Sequence, residues 1–186
     1  MLTFGFVGVA DAADRAPQIS QSLYAVNDTG TQQGLSSEDR KILWALNQQE
    51  ASGRSEVQSR YEPNFYRLYL QNNALFKAAE IKYGSKAISS SYGPWQIMYT
   101  TAVEMGYRGD PSSLAKASVS LPYVLRYIEK LKRRFDGNIQ KVISAYNAGP
   151  GGVGTNPKYT SRVMGFYQKA PSTWRVYGAE SYRYIS

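Results

Sequence analysis

The sequence predicts an all-α domain of about six helices. Three observations carry this reading. Apolar residues recur at spacings of three and four in successive segments, no stretch sustains a period-two alternation, and Gly and Pro punctuate the ends of the periodic segments. No internal repeat of roughly 20–50 residues points to a solenoid or propeller.

The first helix starts at Ser36–Ser37, with Ser37 as a capping hydroxyl and Glu38 and Asp39 in the first turn, where carboxylates suit the helix dipole. Ile42, Leu43 and Leu46 form its buried stripe, and Glu50 continues that stripe one turn on. Pro63 opens a second helix running to about Tyr83, with Phe65, Leu68, Tyr69, Leu75 and Ala79 inward and Gly84 as its stop. Residues 85–93 read as a loop. Pro94 opens a third helix with Ile97, Met98 and Ala102 inward, ended by Gly106, and Pro111 starts a short turn. Val124, Leu125, Ile128 and Leu131 mark a fourth, long helix that Gly137 ends. Asn138 caps a fifth, bearing Ile139, Val142, Ile143 and Tyr146. The Gly-rich run 149–154 is a loop, and Pro157 starts a sixth helix with Val163, Phe166 and Tyr167.

The 186 residues divide into an N-terminal arm (1–35), a folded domain (36–170) and an aromatic tail (171–186) that carries Trp174, Tyr177, Tyr182 and Tyr184. Leu2 to Ala10 is apolar, and Ala10-Asp11-Ala12 has the small-x-small form of a signal-peptidase site. The basic flank of a signal peptide is missing, since the first Arg is Arg15, so the stretch reads as a signal segment or as a loosely packed arm. No apolar run approaches the ~20 residues that span a bilayer.

Composition removes whole classes of chemistry. With no Cys and no His, the chain has no disulfide, thiol nucleophile, Ser-His-Asp triad or His-ligated metal. Acid–base work near neutral pH falls to a carboxylate, Lys or Tyr with a displaced pKa. Among the 14 acidic residues, most have a structural or solvated place: helix starts at Glu38 and Asp39, polar helix positions at Glu80 and Glu104, a turn at Asp110, and ion-pair spacing at Glu129. The segment between the first two helices keeps three candidates, Glu50, Glu56 and Glu62. Glu50 lies at the inner end of an apolar stripe, where burial favours the neutral form that a general acid needs. The alternative is a helix-end Glu that turns outward or pairs with Arg54 or Arg60. Glu56 lies in a polar loop and reads as solvated. Glu62 precedes Pro63, where a helix N-terminus stabilises a carboxylate with no further role.

Two further stretches bring polar groups beside small residues. In 89–98, Ser90, Ser91, Gly93 and Gln96 offer hydrogen-bonding groups and close backbone approach, or simply a polar loop before a helix. In 145–152, Tyr146 and Asn147 precede a sharp Gly-rich turn and point toward what lies beyond it.

Taken in order, E-x-S at Glu50, S-x-G-x-x-Q-I-M at Ser91 to Met98 and A-Y-N-A-G-P-G at Ala145 to Gly151 resemble the motifs of soluble lytic transglycosylases, relatives of goose-type lysozyme. RYEPNFY, Arg60 to Tyr66, resembles a variant found in phage and mobile-element members. The resemblance covers roughly 36–170 and implies a lysozyme-like multi-helix fold around a saccharide cleft. It implies Glu50 as catalytic acid and base, with Ser91, Gln96, Tyr146 and Asn147 lining the cleft. Tyr159, matched by order along the chain, is the Tyr that approaches the Glu; Glu62 is a secondary candidate. Two positions depart from the family pattern. Ala51 stands where Ser usually follows the Glu, with Ser52 one residue later, and Trp95 stands where Met is common, a larger ring that would narrow or extend the cleft.

The resemblance implies cleavage of the MurNAc–GlcNAc β-1,4 bond with a 1,6-anhydro product and no cofactor or metal. Its partner is the glycan strand of peptidoglycan, met in the periplasm, outside the cell or on a phage virion, with a secretion-system or phage assembly as possible hosts. The net charge of +8 suits a polyanionic wall. It suits nucleic acid equally, but the basic run Lys130, Lys132, Arg133, Arg134 reads as a solvated helix face and no nucleic-acid partner is expected. A muramidase, or a non-catalytic wall- or nucleic-acid-binding module on the same scaffold, stays open at this level.

Overall fold

The computed structural model describes residues 35–55 and 57–171; the N-terminal arm up to residue 34, read as a signal segment or a loosely packed arm, the environment of Glu56 and the aromatic tail from 172 onward lie outside them. Helix α1 spans Ser37–Ala51. Ser36, not Ser37, is its cap: the Ser36 hydroxyl accepts from Asp39 N at 3.0 Å, and the Asp39 carboxylate accepts from Ser36 N at 3.3 Å. The position is decided by Asp39, since only Ser36 has an acidic residue three positions on to close this reciprocal box. Ile42, Leu43, Ala45 and Leu46 are fully buried, and α1 packs chiefly on the last helix of the fold.

The expected second helix is broken into pieces. Pro63–Phe65 forms a short α2, Tyr66–Leu70 a turn with i→i+5 bonding, Ala74–Phe76 a 3₁₀ turn and Lys77–Tyr83 helix α3. The break sits at Asn72–Asn73. The Asn73 side chain accepts from Leu75 N at 3.0 Å and caps a new turn, the local competition by which Asn disfavours helix interiors. Periodicity restarts there, so Leu68, Tyr69 and Leu75, expected inward, are exposed, Leu75 at 88%.

Residues 85–98 also depart from expectation. Ser85–Ile88 is a short helix, α4, not loop. Pro94 does not start a helix: Ser90–Tyr92 and Ile97–Met98 are strands β2 and β3 joined by a tight turn, and helix α5 begins only at Tyr99, running to Glu104. With β1 (Arg60–Tyr61) they form a three-stranded antiparallel sheet in the order β1-β2-β3, with Arg60 opposite Ser91 and Ser91 opposite Met98. The turn requires left-handed backbone at Gly93 (φ +72°) and Gln96 (φ +45°), which no helix accommodates. A Cβ at Gly93 would stand 2.5 Å from the Leu114 carbonyl oxygen, so the close seat of the hairpin on the 3₁₀ turn Pro111–Ala115 requires glycine.

The remaining elements follow the sequence reading: α6 (Ala117–Arg134), α7 (Ile139–Ala148) and α8 (Pro157–Lys169), with Asn138 and Asn156 capping the last two. The described residues therefore hold eight α-helices rather than six, because one expected helix splits and one loop becomes helical. The class is all-α, with a small sheet at the cleft. One surface reading changes as well. Glu80 is not solvated: it accepts from the Tyr66 hydroxyl and from Lys77 Nζ at 3.0 Å. The basic run of α6 is the expected solvated face: Lys130, Arg133 and Arg134 are exposed, with surface pairs of Lys130 to Glu104, Lys132 to Glu38 and Asp39, and Arg133 to Glu129.

Candidate active site

Glu50 sits in the last turn of α1, which stops one residue later because Ser52 turns left-handed at φ +52°. Just before it, the fully buried Asn47 donates from Nδ2 to the carbonyls of Arg54 (2.9 Å) and Pro94 (3.3 Å), tying the end of α1 to the hairpin turn. The Glu50 side chain is 7% exposed. Its Oε1 accepts from the Tyr159 hydroxyl of α8 at 2.7 Å, and its Oε2 lies 3.7 Å from Nη1 of Arg60 on β1. Burial pushes the carboxyl pKa up; the Tyr159 hydrogen bond and the Arg60 charge oppose this, and Glu62 adds to it. The position at a helix C-terminus, the negative end of the dipole, works in the same direction as burial. The net result is a carboxyl that keeps its proton to higher pH than a solvated Glu, which equips it to donate a proton.

Glu50, Glu62, Ser91, Gln96, Tyr146 and Asn147 line one cleft of about 750 Å³, together with Arg60 and the Gly149–Gly152 loop. Tyr159 is not part of its lining; it is buried behind Glu50, and burial beside the Glu50 charge drives its own pKa far up, so it remains a donor. Tyr146, expected to point past the Gly-rich turn, donates instead to the Trp95 carbonyl at 2.8 Å, locking α7 to the hairpin. Asn147 accepts at Oδ1 from Asn156 Nδ2 at 2.9 Å, and Asn156 in turn caps α8 at Tyr159 N. One polar chain thus runs from the cleft wall to the helix end that positions Tyr159.

Ser91 and Gln96 are occupied within the hairpin. Ser91 Oγ donates to Gln96 Oε1 at 2.8 Å, and Gln96 Nε2 donates to the Gly93 carbonyl at 3.0 Å. They shape the cleft floor by holding the turn closed. Trp95 neither narrows nor extends the cleft: it is fully buried in the core, its indole N–H donating to the Leu43 carbonyl at 3.0 Å. Ser52 makes no side-chain hydrogen bond to Glu50; the contacts to that carboxyl come from Tyr159 and Arg60.

Glu62 enters the cleft lining with its side chain 38% exposed, and Arg60 Nε holds it at 2.7 Å. Sequence reading treated Arg60 only as a possible pair for Glu50 and did not reach Phe65, Tyr69, Met98, Thr101 and Tyr127, which also line the cleft. RYEPNFY was the available signal for Arg60 and Phe65, since it departs from a plain helix start. A second depression, about 840 Å³ between α7 and α8, has Lys141 as its sole ionisable lining group among the described residues, and none of these supplies a carboxyl to act as an acid.

No curated protein and no solved structure matches the chain. The family model described as Transglycosylase SLT domain matches residues 31–179, which contain the whole cleft and every element that builds it, so the chain belongs to the transglycosylase SLT domain family.

Proposed function

We propose that this chain is a peptidoglycan lytic transglycosylase in which Glu50 alone serves as acid and then base. Family membership supports a glycosidase-like enzyme of peptidoglycan. The observation that carries the finer reading is the buried Glu50 carboxyl, in a residue that lines the cleft, tied at Oε1 to Tyr159 and with Oε2 beside the Arg60 guanidinium at 3.7 Å. With Oε1 accepting from Tyr159, the proton resides on Oε2, from which it passes to the substrate. Neutral Glu50 protonates the glycosidic oxygen as the C1–O bond of N-acetylmuramic acid breaks. The substrate's own 2-acetamido oxygen supports the cationic C1, as in substrate-assisted glycosidases. The Glu50 carboxylate then takes the proton of the C6 hydroxyl, whose oxygen bonds to C1. The 1,6-anhydro ring closes, Glu50 regains its proton, and no water is consumed. Holding the attacking hydroxyl within the substrate gives it the proximity advantage over solvent. Asn147 and the Gly149–Gly152 loop offer polar groups to the saccharide above the floor that Ser91 and Gln96 hold in shape. A wall substrate implies work in the cell envelope or on a virion.

One observation favours a second reading. Glu62 lies in the same cleft, so a second carboxylate is available to activate water, as a hydrolytic muramidase requires. Digestion of purified peptidoglycan, followed by mass spectrometry, separates the two. Products one water lighter than lysozyme products, and a folded but inactive Glu50→Gln protein, are expected. Reducing-end muramic acid alone would replace the transglycosylase by a muramidase, and a fully active Glu50→Gln would remove Glu50 from the chemistry.

A further inference from the structure

We propose that Arg60 is a positioning residue shared between two carboxylates: Glu62 retains its guanidinium while Glu50 carries a proton, and the guanidinium turns to Glu50 once that proton has gone to the leaving sugar. The inference rests on the assignment of Glu50 as acid and base. It draws on RYEPNFY, the one motif that the reaction itself leaves without a role.

The two distances set the resting state. Arg60 Nε stands 2.7 Å from Glu62 Oε1, a charge-assisted hydrogen bond, while Nη1 stands 3.7 Å from Glu50 Oε2, beyond hydrogen-bond reach but close enough for charge to act. The Arg60 backbone is fixed by its pairing opposite Ser91, whereas its side chain is 58% exposed and free to pivot. A guanidinium presents five donors in a fork, so Nε can keep Glu62 while an Nη closes a gap of about 1 Å to Glu50.

The chemistry supplies the reason. After donating its proton, Glu50 is a buried carboxylate with a donor on Oε1 only, an arrangement that costs free energy until the second oxygen is met. Full pairing with Arg60 at rest would instead strip Glu50 of its proton and leave no acid. Glu62 prevents this by competing for the same cation. The groups acting on Glu50 from the surrounding elements are Tyr159 and Arg162 on α8, Arg60 and Glu62 at β1, and Tyr146 on α7. Of these, Arg60 is the cation that faces Oε2 across the cleft.

The test is the pH profile of wall digestion, whose alkaline limb reports loss of the Glu50 proton, with the Glu50 side-chain carboxyl also titrated by ¹³C NMR. Glu62→Gln frees Arg60 and removes a negative neighbour, so the limb moves to lower pH by about half a unit or more, with substantial turnover kept at the new optimum. Arg60→Gln moves the limb to higher pH and lowers kcat about tenfold, the size of one lost charge-assisted contact, and Arg60→Lys restores part of that loss. Opposite displacement shows that both charges act on Glu50; the fall in kcat on loss of Arg60, with part of it restored by Lys, is the readout that a pair fixed in its resting contacts does not move. Limbs and NMR titrations that stay in place, or move together, overturn the proposal, as does a folded Glu62→Gln with no turnover, which would make Glu62 itself catalytic. Glu50→Gln assayed in parallel separates the failures: if it is inactive while the limbs stay fixed, only the role of Arg60 falls; if it is active, the assignment of Glu50 falls first.

Discussion

Replacing Glu50 by Gln should make the folded protein more stable at neutral pH and no more stable in mild acid. The Glu50 carboxyl is raised from its ordinary 4.5, with burial as the main cause. Below about 4.5 both folded and unfolded chains carry the proton, and burial of a neutral group costs little. As pH rises, the unfolded chain ionises first, the folded state binds the extra proton, and stability falls until the folded pKa is passed. Above that point the penalty is constant, about 1.4 kcal/mol for each unit by which the folded pKa exceeds the unfolded one. Gln preserves shape, keeps an oxygen for the Tyr159 hydroxyl and removes the charge. The lost attraction to Arg60 offsets little, because that guanidinium is largely solvated. For a domain of this size the gain is roughly 3–6 °C in Tm per unit of displacement. Thermal melts of both proteins from pH 4 to pH 8 measure it. A Gln variant no more stable than wild type at pH 7.5, or one stabilised equally at pH 4, would refute the claim that Glu50 is held in a costly environment.

Three further outcomes follow from the same geometry. Tyr159→Phe keeps the buried ring and removes one donor to Glu50, so kcat for wall clearing should fall about 10–100-fold and its alkaline limb should move up; unchanged turnover would show that the hydrogen bond has no part in the reaction. Gly93→Ala should cost about 2 kcal/mol or more in a urea melt, since it combines φ +72° with a Cβ 2.5 Å from the Leu114 carbonyl, and a loss under 0.5 kcal/mol would mean that the turn relaxes freely. Hydrogen exchange should be fastest, among the described helices, at amides of 63–83, where Leu70 is the sole buried residue, and protection there equal to α6 or α7 would contradict that sparse packing.

What the sequence disclosed follows the length over which its patterns run. Helices α1, α6, α7 and α8 hold ten residues or more, enough for 3- and 4-spacing to identify a face. The strands hold two or three residues each, too few for alternation to register, so the sheet was invisible and Pro94 passed for a helix start. The second helix failed because Leu68, Tyr69 and Leu75 mimic a buried stripe while Asn72–Asn73 breaks it; nothing in the apolar pattern shows that capping wins there. At the site, Glu50 was legible as a carboxyl on an apolar face. The Arg60–Glu62 pair was not, because it reaches Glu50 through the pairing of β1 with β2, a contact between residues about thirty apart in sequence.

The two walls of the cleft differ in firmness, and the difference bears on how, in the proposed mechanism, a single carboxyl would serve twice. One oxygen of Glu50 belongs to the firm side. Tyr159 fixes it, α8 is capped through Asn156, Asn147 joins that cap to α7, and Tyr146 and Asn47 anchor α7 and α1 to the hairpin turn. The other oxygen looks toward β1 and the 63–83 segment, where Arg60, Phe65 and Tyr69 stand over a thin core. A general acid must present its proton to the substrate, and its conjugate base must accept one from the same side a step later. With Oε1 accepting from Tyr159, Oε2 is left to carry the proton. The adjustable partner then stands beside the oxygen that changes state, where a guanidinium on a solvated side chain can follow the charge without moving the core.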